Sequence, residues 1–371
     1  MLKKHYKVLS LLLSMLMVVG LFAGCSPAAP TNEGVESSGE TGGEKIYELS
    51  LAHFWPASHI METEIAQGWA QAVFEATNGR VKINTYPGET LTKAAEVYEG
   101  VVQGVADIGI SVYAYTRGRF PVLETLLLPG ISFYNSEAAS WAAMEAIEIL
   151  DPEELKDVHH IWTWGSGPAD LLSKKPIRTP ADLKGLQIGA TAGPRADALE
   201  ILGAAPVISP LSEWYEALSR GVMDGGVIPL ESLLGFRLAE VTADYITLTP
   251  FLYNQLFFNV MNKETWESLP ADIQEAITAA TEEFYAEKMP TLWNRINKEG
   301  LEYGRSIKDI EIIKLTEEET KLWVEPLKPI HDEYVAFLNS RGLPGEEILE
   351  QMKALAQKYG ELYPDFAPYV N

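Results

Sequence analysis

Apolar and polar residues alternate with period two along Tyr47-Glu48-Leu49-Ser50-Leu51-Ala52, which predicts a strand, and His53 to His59 then reads as a loop. Ile65, Trp69, Ala72, Val73 and Ala76 recur at helical spacing, and Asn78-Gly79 marks the stop of that helix. Val81, Ile83 and Thr85 alternate with Arg80, Lys82 and Asn84, predicting a second strand before Pro87-Gly88. A helix over about 91–103 and a strand over 106–112 follow. Further on, Pro180 to Gly185 reads as one helical turn and Leu186 to Ala190 as a strand. Pro194 opens a helix at a favoured first-turn position, and Gly203 closes it. A long helical pattern starts at Ala271 and runs past Pro290, where a missing N–H and a ring clash predict a kink. Thr316 and Glu319 have the spacing of a capping box, and 345–359 reads as a final amphipathic helix. Strands that alternate with helices predict an α/β fold built on mostly parallel sheets wrapped by helices.

One unit of this pattern occurs twice. Residues 96–110 (EVYEGVVQGVADIGI) return at 213–227 (EWYEALSRGVMDGGV), with seven identities and no gap at an offset of 117 residues. Each copy ends a short helix at a glycine, Gly104 or Gly221, able to take φ > 0 at the C′ position. An apolar strand then begins around Asp107 or Asp224, equivalent positions that suggest capping or turn hydrogen bonds rather than chemistry. A helix–strand unit used twice predicts two similar α/β lobes, and a cleft between lobes is a preferred place for a small ligand.

The ends change the picture. Lys3, Lys4 and Lys7 precede an apolar run from Val8 to Ala23 that closes on Leu21-Phe22-Ala23-Gly24-Cys25. That run is shorter than the ~20 residues a bilayer needs, so 1–24 reads as a secretory signal. Cys25 is the only cysteine, which leaves an exported chain without an internal disulfide. Ser26 to Glu44 holds only small, polar and acidic residues with a few aliphatics and no aromatic residue, so 25–45 is expected to be a flexible tether. Cleavage after residue 24 removes three lysines from a net charge of −23 and leaves −26. So negative a chain is repelled by nucleic acid and by anionic lipid, which argues against both as partners.

Several stretches, in this order and spacing, resemble the solute-binding proteins of tripartite ATP-independent periplasmic (TRAP) transporters. They are Lys174 to Ile188, Leu202 to Val207, Glu213 to Leu218, Gly221 to Gly225, Met261 to Trp266 and Leu269 to Asp272, and the likeness spans 46–360. The amino terminus similarly resembles a lipoprotein signal, with Cys25 lipidated as the first mature residue. The resemblance implies a two-lobed periplasmic-binding-protein-like fold, with crossing strands and a long helix spanning both lobes. It places one lobe at 46–162 plus about 251–290 and the other at 163–250 plus about 291–371. It further implies a lipid-anchored extracytoplasmic receptor that closes on one small organic solute and hands it to TRAP permease subunits, without a cofactor. Typical members carry a carboxylate-gripping arginine in the strand after Leu-Lys-Gly. Here that strand reads Gly185-Leu-Gln-Ile-Gly189, so the arginine's place is Gly189, and a second expected arginine falls at Ala169 or Asp170.

The candidate site follows from strand ends. His53, Phe54, Trp55 and His59 leave the first strand at its carboxyl end, where open α/β sheets bind ligands. Two histidines without a completing Cys or carboxylate cluster make a metal site unexpected. His159-His160 reads as structural or exposed. Tyr113, Tyr115, Arg117 and Arg119 leave the first repeat's strand; Arg119, Arg117 or Arg195 are candidates for a relocated two-pronged grip on an organic acid. Trp162, Trp164, Trp214, Tyr215 and Phe236 are candidate aromatic walls. With Asp170 or Glu231 they offer the alternative of a cage for a neutral, aromatic or cationic solute. A sensor subunit remains an alternative setting for the same receptor. An enzyme is disfavoured: the one cysteine is the lipid site and no Gly-x-Ser-x-Gly elbow occurs.

Overall fold

The computed structural model describes residues 45–116, 118–131 and 133–364. The expected signal, the tether up to residue 44, Cys25 and Arg117 lie outside the described residues. The chain forms two sheets. The first holds strands β1 (Tyr47–His53), β2 (Val81–Tyr86), β3 (Ile108–Val112), β4 (Val158–Pro168) and β10 (Asn254–Asn262) in the order β2-β1-β3-β10-β4. The second holds β5 (Asp170–Ser173), β6 (Gln187–Ala190), β7 (Ala205–Ile208), β8 (Gly225–Ile228), β9 (Tyr245–Thr247) and β11 (Glu311–Ile313) in the order β11-β9-β5-β8-β6-β7. Both are mixed. β2-β1-β3 and β8-β6-β7 run parallel, as helical crossovers require, and β11 also lies parallel to β9. One strand in each sheet runs against the rest: β10, antiparallel to both β3 and β4, in the first, and β5, antiparallel to both β8 and β9, in the second.

Three crossings join the sheets, the last from β10 back to β11. β4 stays in the first sheet to Pro168 and β5 enters the second at Asp170, so the change falls at Ala169 rather than between 162 and 163. The return runs from β9 to β10. All nine residues of β10 are buried, because it lies between β3 and β4 with both faces covered. Buried apolar side chains form one continuous cluster through both sheets. The lobes are therefore packed against one another rather than held apart.

The two repeat copies build the same turn. Gly104 and Gly221 both take φ 73°, and the next residue's N–H closes back on the helix, Val105 to Gly100 O and Val222 to Ala217 O. Asp107 Oδ2 accepts the Ser50 N–H of neighbouring β1, and Asp224 Oδ2 accepts the Gln187 N–H of neighbouring β6, each at 2.8 Å. Both aspartates thus fix the start of their strand to the adjacent one.

The long helix, Ala271–Ile307, packs on both halves. Trp69 Nε1 donates to Thr281 Oγ1 near its beginning, and Gly300 near its end lies against the Leu230 carbonyl, where a Cβ would come within 2.2 Å. It continues through Pro290 because Ser136 enters the helical ladder. The Ser136 hydroxyl donates to Pro290 O and accepts from Asn294 N, bridging the turn that the proline disturbs. The predicted capping box, helix stop and final helix hold: Thr316 with Glu319, Asn78-Gly79 with positive φ at both residues, and a helix at Gly345–Leu362. Among the described residues no helix is long and apolar enough to cross a membrane.

Candidate functional site

The parallel strands of both sheets point their carboxyl ends at one narrow cavity lined from both sides. From the first sheet come Phe54 and Trp55 after β1, Val112 at the end of β3, Tyr115, and Gln255 and Phe257 of β10. From the second come Thr191, Ser209, Leu211, Trp214, Ile228, Pro229 and Glu231. Aromatic walls with few polar groups are what a small organic ligand needs. The sides are tied together directly: Leu211 N–H donates to the Tyr115 hydroxyl at 3.1 Å, and Phe54 stacks with Phe236 at 6.2 Å between centroids. Burial raises the Tyr115 phenol, so it is a neutral hydroxyl here.

Trp214 occupies the place of the absent arginine. Its indole lies over β6 and β8 so closely that a Cβ on Gly189 would come within 2.9 Å of the ring, and one on Gly226 within 2.2 Å. Trp214 Nε1 donates to Ser209 O, leaving the ring face to the cavity. Gly189 and Trp214 therefore form a pair, and a bulky side chain at 189 is incompatible with that indole.

Arg195 is fully buried. Its Nη1 donates to the Val227 carbonyl at 2.7 Å, and its guanidinium lies 3.9 Å from the Tyr253 ring centroid. Nε and Nη2 have no hydrogen-bond partner. These two N–H groups form one edge of the guanidinium, the edge that accepts a carboxylate through two parallel bonds. Arg195 is not part of the cavity wall but stands behind it. It interacts with Tyr115, and with Tyr253, whose hydroxyl lies 3.4 Å from Thr191 Oγ1. Burial lowers its proton affinity, and it carries no carboxylate within ion-pair distance among the described residues.

The other predicted residues fall elsewhere. Arg119 is not a grip: its donors go to Glu99 Oε1, Glu154 O and Asp157 Oδ2 near the surface, and its guanidinium rests on Tyr98. Tyr113 turns into the first lobe's core, its hydroxyl 2.6 Å from Thr163 Oγ1. His53 pairs with Glu62 at 2.7 Å. Burial pushes Glu62 up, but hydrogen bonds from His53, Thr85 and Gln67 outweigh it and hold the carboxyl below its usual range. Trp164 stacks behind Phe257, and Trp162 packs edge-on against Trp69. Asp170 sits at the sheet crossing, where its Oδ1 accepts from Thr249 N and burial raises its pKa to about 7. Tyr215 reaches Glu240 at the surface. His159 stacks on Trp266, and desolvation depresses both it and His160 to about 4. His59 and Glu231 meet across the two halves at 3.0 Å. Glu231 stands in the wall between the inner space and an outer groove lined by Ser58, His59, Thr63 and Arg237. No group of three His, Cys, Asp or Glu side chains is placed to hold a metal among the described residues.

Thr191, Ser209, Gln255 and Phe257 went unpredicted, as did Val112 and Pro229. The last two had a signal, since they continue the repeat at the same offset of 117 residues. The others lie on a crossing strand and on loops without any local pattern.

The family model for bacterial extracellular solute-binding proteins, family 7 (DctP), matches residues 51–336. The C4-dicarboxylate-binding periplasmic protein DctP of Rhodobacter capsulatus is 29% identical over 309 residues, covering 77% of this chain and 90% of its own. A marine-metagenome TRAP solute-binding protein specific for aromatic acids, solved with 3-hydroxybenzoate, is 28% identical with a TM-score of 0.79; 85% of this chain and 99% of that one are covered. A TRAP solute-binding protein of Rhodoferax ferrireducens, solved with copurified benzoate, is 26% identical with a TM-score of 0.77, covering 85% and 99%. This family is a class of binding proteins, not of enzymes. With a matching family model over most of its folded body and a cavity where two sheets converge, the chain belongs to family 7 of the bacterial extracellular solute-binding proteins, the solute receptors of TRAP transporters.

Proposed function

We propose that this receptor closes its two lobes over a small organic acid with an aromatic body, whose carboxylate lies on the Nε–Nη2 edge of Arg195. The observation that carries the reading is the buried cation itself, with two adjacent donors unpartnered. A buried unpaired charge is costly, and an arriving carboxylate offsets that cost with two charge-assisted bonds. Phe54, Trp55, Tyr115, Trp214 and Phe257 supply flat apolar walls suited to a ring. Trp214 over Gly189 favours an aryl acid over a dicarboxylate, because an indole stands where a second charged grip would begin. The bound aromatic acids of the two structural relatives agree with this choice. The wall before Arg195 opens with the hinge, since only ligand contacts stronger in the closed state shift such an equilibrium.

Calorimetry on ligand-stripped protein with benzoate, phenylacetate, succinate and benzylamine tests the reading. The aryl acids are expected to bind best, and Arg195→Met to weaken them by about 30-fold or more, the lower bound for removing a buried charged partner. Tighter binding of succinate or benzylamine, or indifference to Arg195→Met, overturns it. We further propose that lipid on Cys25 tethers the receptor outside the membrane, beside its TRAP permease. Metabolic labelling with a radioactive fatty acid should mark the protein, and Cys25→Ala should remove the label and release the chain in soluble form.

A further inference from the structure

Glu231 is the one carboxylate that lines the inner cavity among the described residues, and it is 4% exposed. Its side chain accepts a single hydrogen bond there, from His59 Nε2 at 3.0 Å. His59 Nδ1 accepts the Met61 N–H at 3.0 Å, so the ring proton resides on Nε2 and the imidazole is neutral in this arrangement. A second ring proton would face the Met61 N–H. Glu231 thus receives one neutral donor, although a carboxylate offers about four acceptor positions. Its backbone is held firmly: Glu231 N–H donates to Asn297 Oδ1 of the long helix, and Asn297 Nδ2 donates to Ser166 O of β4. Gly235 leaves the room this pair requires, since a Cβ there would come within 2.4 Å of His59 Nε2 and 2.7 Å of Glu231 Oε2.

The site therefore has two unbalanced groups. Arg195 lacks an acceptor and Glu231 is short of donors. We propose that Glu231 is a specificity-determining residue that accepts a hydrogen bond from a hydroxyl or ammonium group on the solute. The preferred ligand is then an aryl acid bearing a hydrogen-bond donor: the carboxylate meets Arg195, the ring lies between the aromatic walls, and the donor reaches Glu231. His59 and Gly235 are positioning residues for it. This inference rests on the carboxylate–Arg195 reading and goes further by naming the substituent. Sites built to pair a polar substituent reject analogues that lack it, because their own polar group is left unsatisfied.

The test uses calorimetric Kd values for benzoate, meta- and para-toluate, meta- and para-hydroxybenzoate and para-(aminomethyl)benzoate on the purified protein. The toluates match the hydroxybenzoates in size but carry no donor. At least one donor-bearing acid is expected to bind about tenfold tighter than its toluate counterpart. Glu231→Gln should shrink that ratio, most for the ammonium probe, and Glu231→Leu should bring it to about one, while Arg195→Met weakens every acid alike. Equal binding of donor-bearing and donor-free acids to wild type overturns the role of Glu231 alone, as does a preference that survives Glu231→Leu. Failure of wild type to bind any of these acids removes the carboxylate–Arg195 reading as well. Should Glu231→Leu not fold, the wild-type ratio and Glu231→Gln decide.

Discussion

Residues 96–110 and 213–227 make one device in two lobes, yet only the second reaches the ligand space with its helix. Position for position, Val97 corresponds to Trp214 and Gly109 to Gly226. In the first copy a Cβ on Gly109 would meet Val97 Cγ1 at 2.6 Å and Val101 Cγ2 at 2.7 Å. In the second, one on Gly226 would meet the Trp214 ring at 2.2 Å. The same residue of the helix covers the same glycine of the strand in both. Valine is small enough to end there, in the core. Tryptophan continues past its glycine, covers Gly189 on the next strand and forms part of the cavity wall. The tyrosines that follow differ too. Tyr98 is buried and donates to Glu154 O and Asp157 Oδ1, whereas Tyr215 reaches outward to Glu240. The same turn and strand-start aspartate thus carry different helix residues, Val97 ending in the core and Trp214 reaching the cavity.

Giving the second copy the first copy's residue should have the largest effect. Trp214→Val empties a buried site and is expected to cost about 3 kcal/mol of stability, the low end for a buried Trp. It should also abolish the preference for ring-bearing acids, read by denaturant melts and calorimetry. Combined with Gly189→Arg, whose Cβ is then crowded only by the flexible Met223 Sδ at 3.0 Å, it should admit dicarboxylates. The glycines come next. Gly109→Ala and Gly226→Ala each overpack by about 1–3 kcal/mol. Only Gly226→Ala should weaken ligand binding as well, because it displaces Trp214; equal Kd values in the two variants would contradict the division of labour. The aspartates follow. Asp107→Ala should destabilise more than Asp224→Ala, by about 1 kcal/mol. Asp107 accepts from Ser50 N, Ser50 Oγ and Thr265 Oγ1, whereas Asp224 accepts from Gln187 N. Identical melts would show that the extra bonds add nothing.

The last effect is read as a slope with pH. Beside the first copy, burial raises the Glu154 carboxyl to about 7 against the 4.5 of an ordinary glutamate, despite the Val122 and Leu123 N–H groups that pull it down. Between those values the folded chain keeps a proton that the unfolded chain has released. Stability from this group is therefore fully present below 4.5 and falls as pH rises through about 7. Glu154→Gln should lack that fall. A stability difference between wild type and variant that stays constant with pH would remove the assignment. Beside the second copy the same sign of slope comes from Asp170, on the strand paired with β8, which burial raises to about 7. Glu240 adds nothing of that sign, because its hydrogen bond with Arg237 lowers its pKa at the surface.

Much of the fold was legible because the signals are local. Alternation gave β1 and β2, helical spacing and Asn78-Gly79 gave the end of the first helix, and Thr316 with Glu319 gave a capping box that forms. The mixed character of the sheets was not legible. Strand direction depends on where β4, β5 and β10 cross, and the chain carries no local mark of that. The helix through Pro290 shows the same limit. The proline was visible, but the Ser136 hydroxyl that bridges it comes from 154 residues away.

The candidate site divides along the same line. By itself the sequence determined that Gly189 stands where an arginine was expected, that a repeat links two lobes, and that aromatic residues follow the strand ends. It left Arg119, Arg117 and Arg195 equivalent, because an arginine's chemistry is the same wherever it sits. Tertiary structure removed Arg119, which Glu99, Glu154 and Asp157 engage from 20, 35 and 38 residues away. It buried Arg195 beside Tyr253 with one edge unpaired, and it brought His59 to Glu231 across 172 residues. Periodicity fixes what a residue is built into. Whether its charge is satisfied depends on neighbours that only folding delivers.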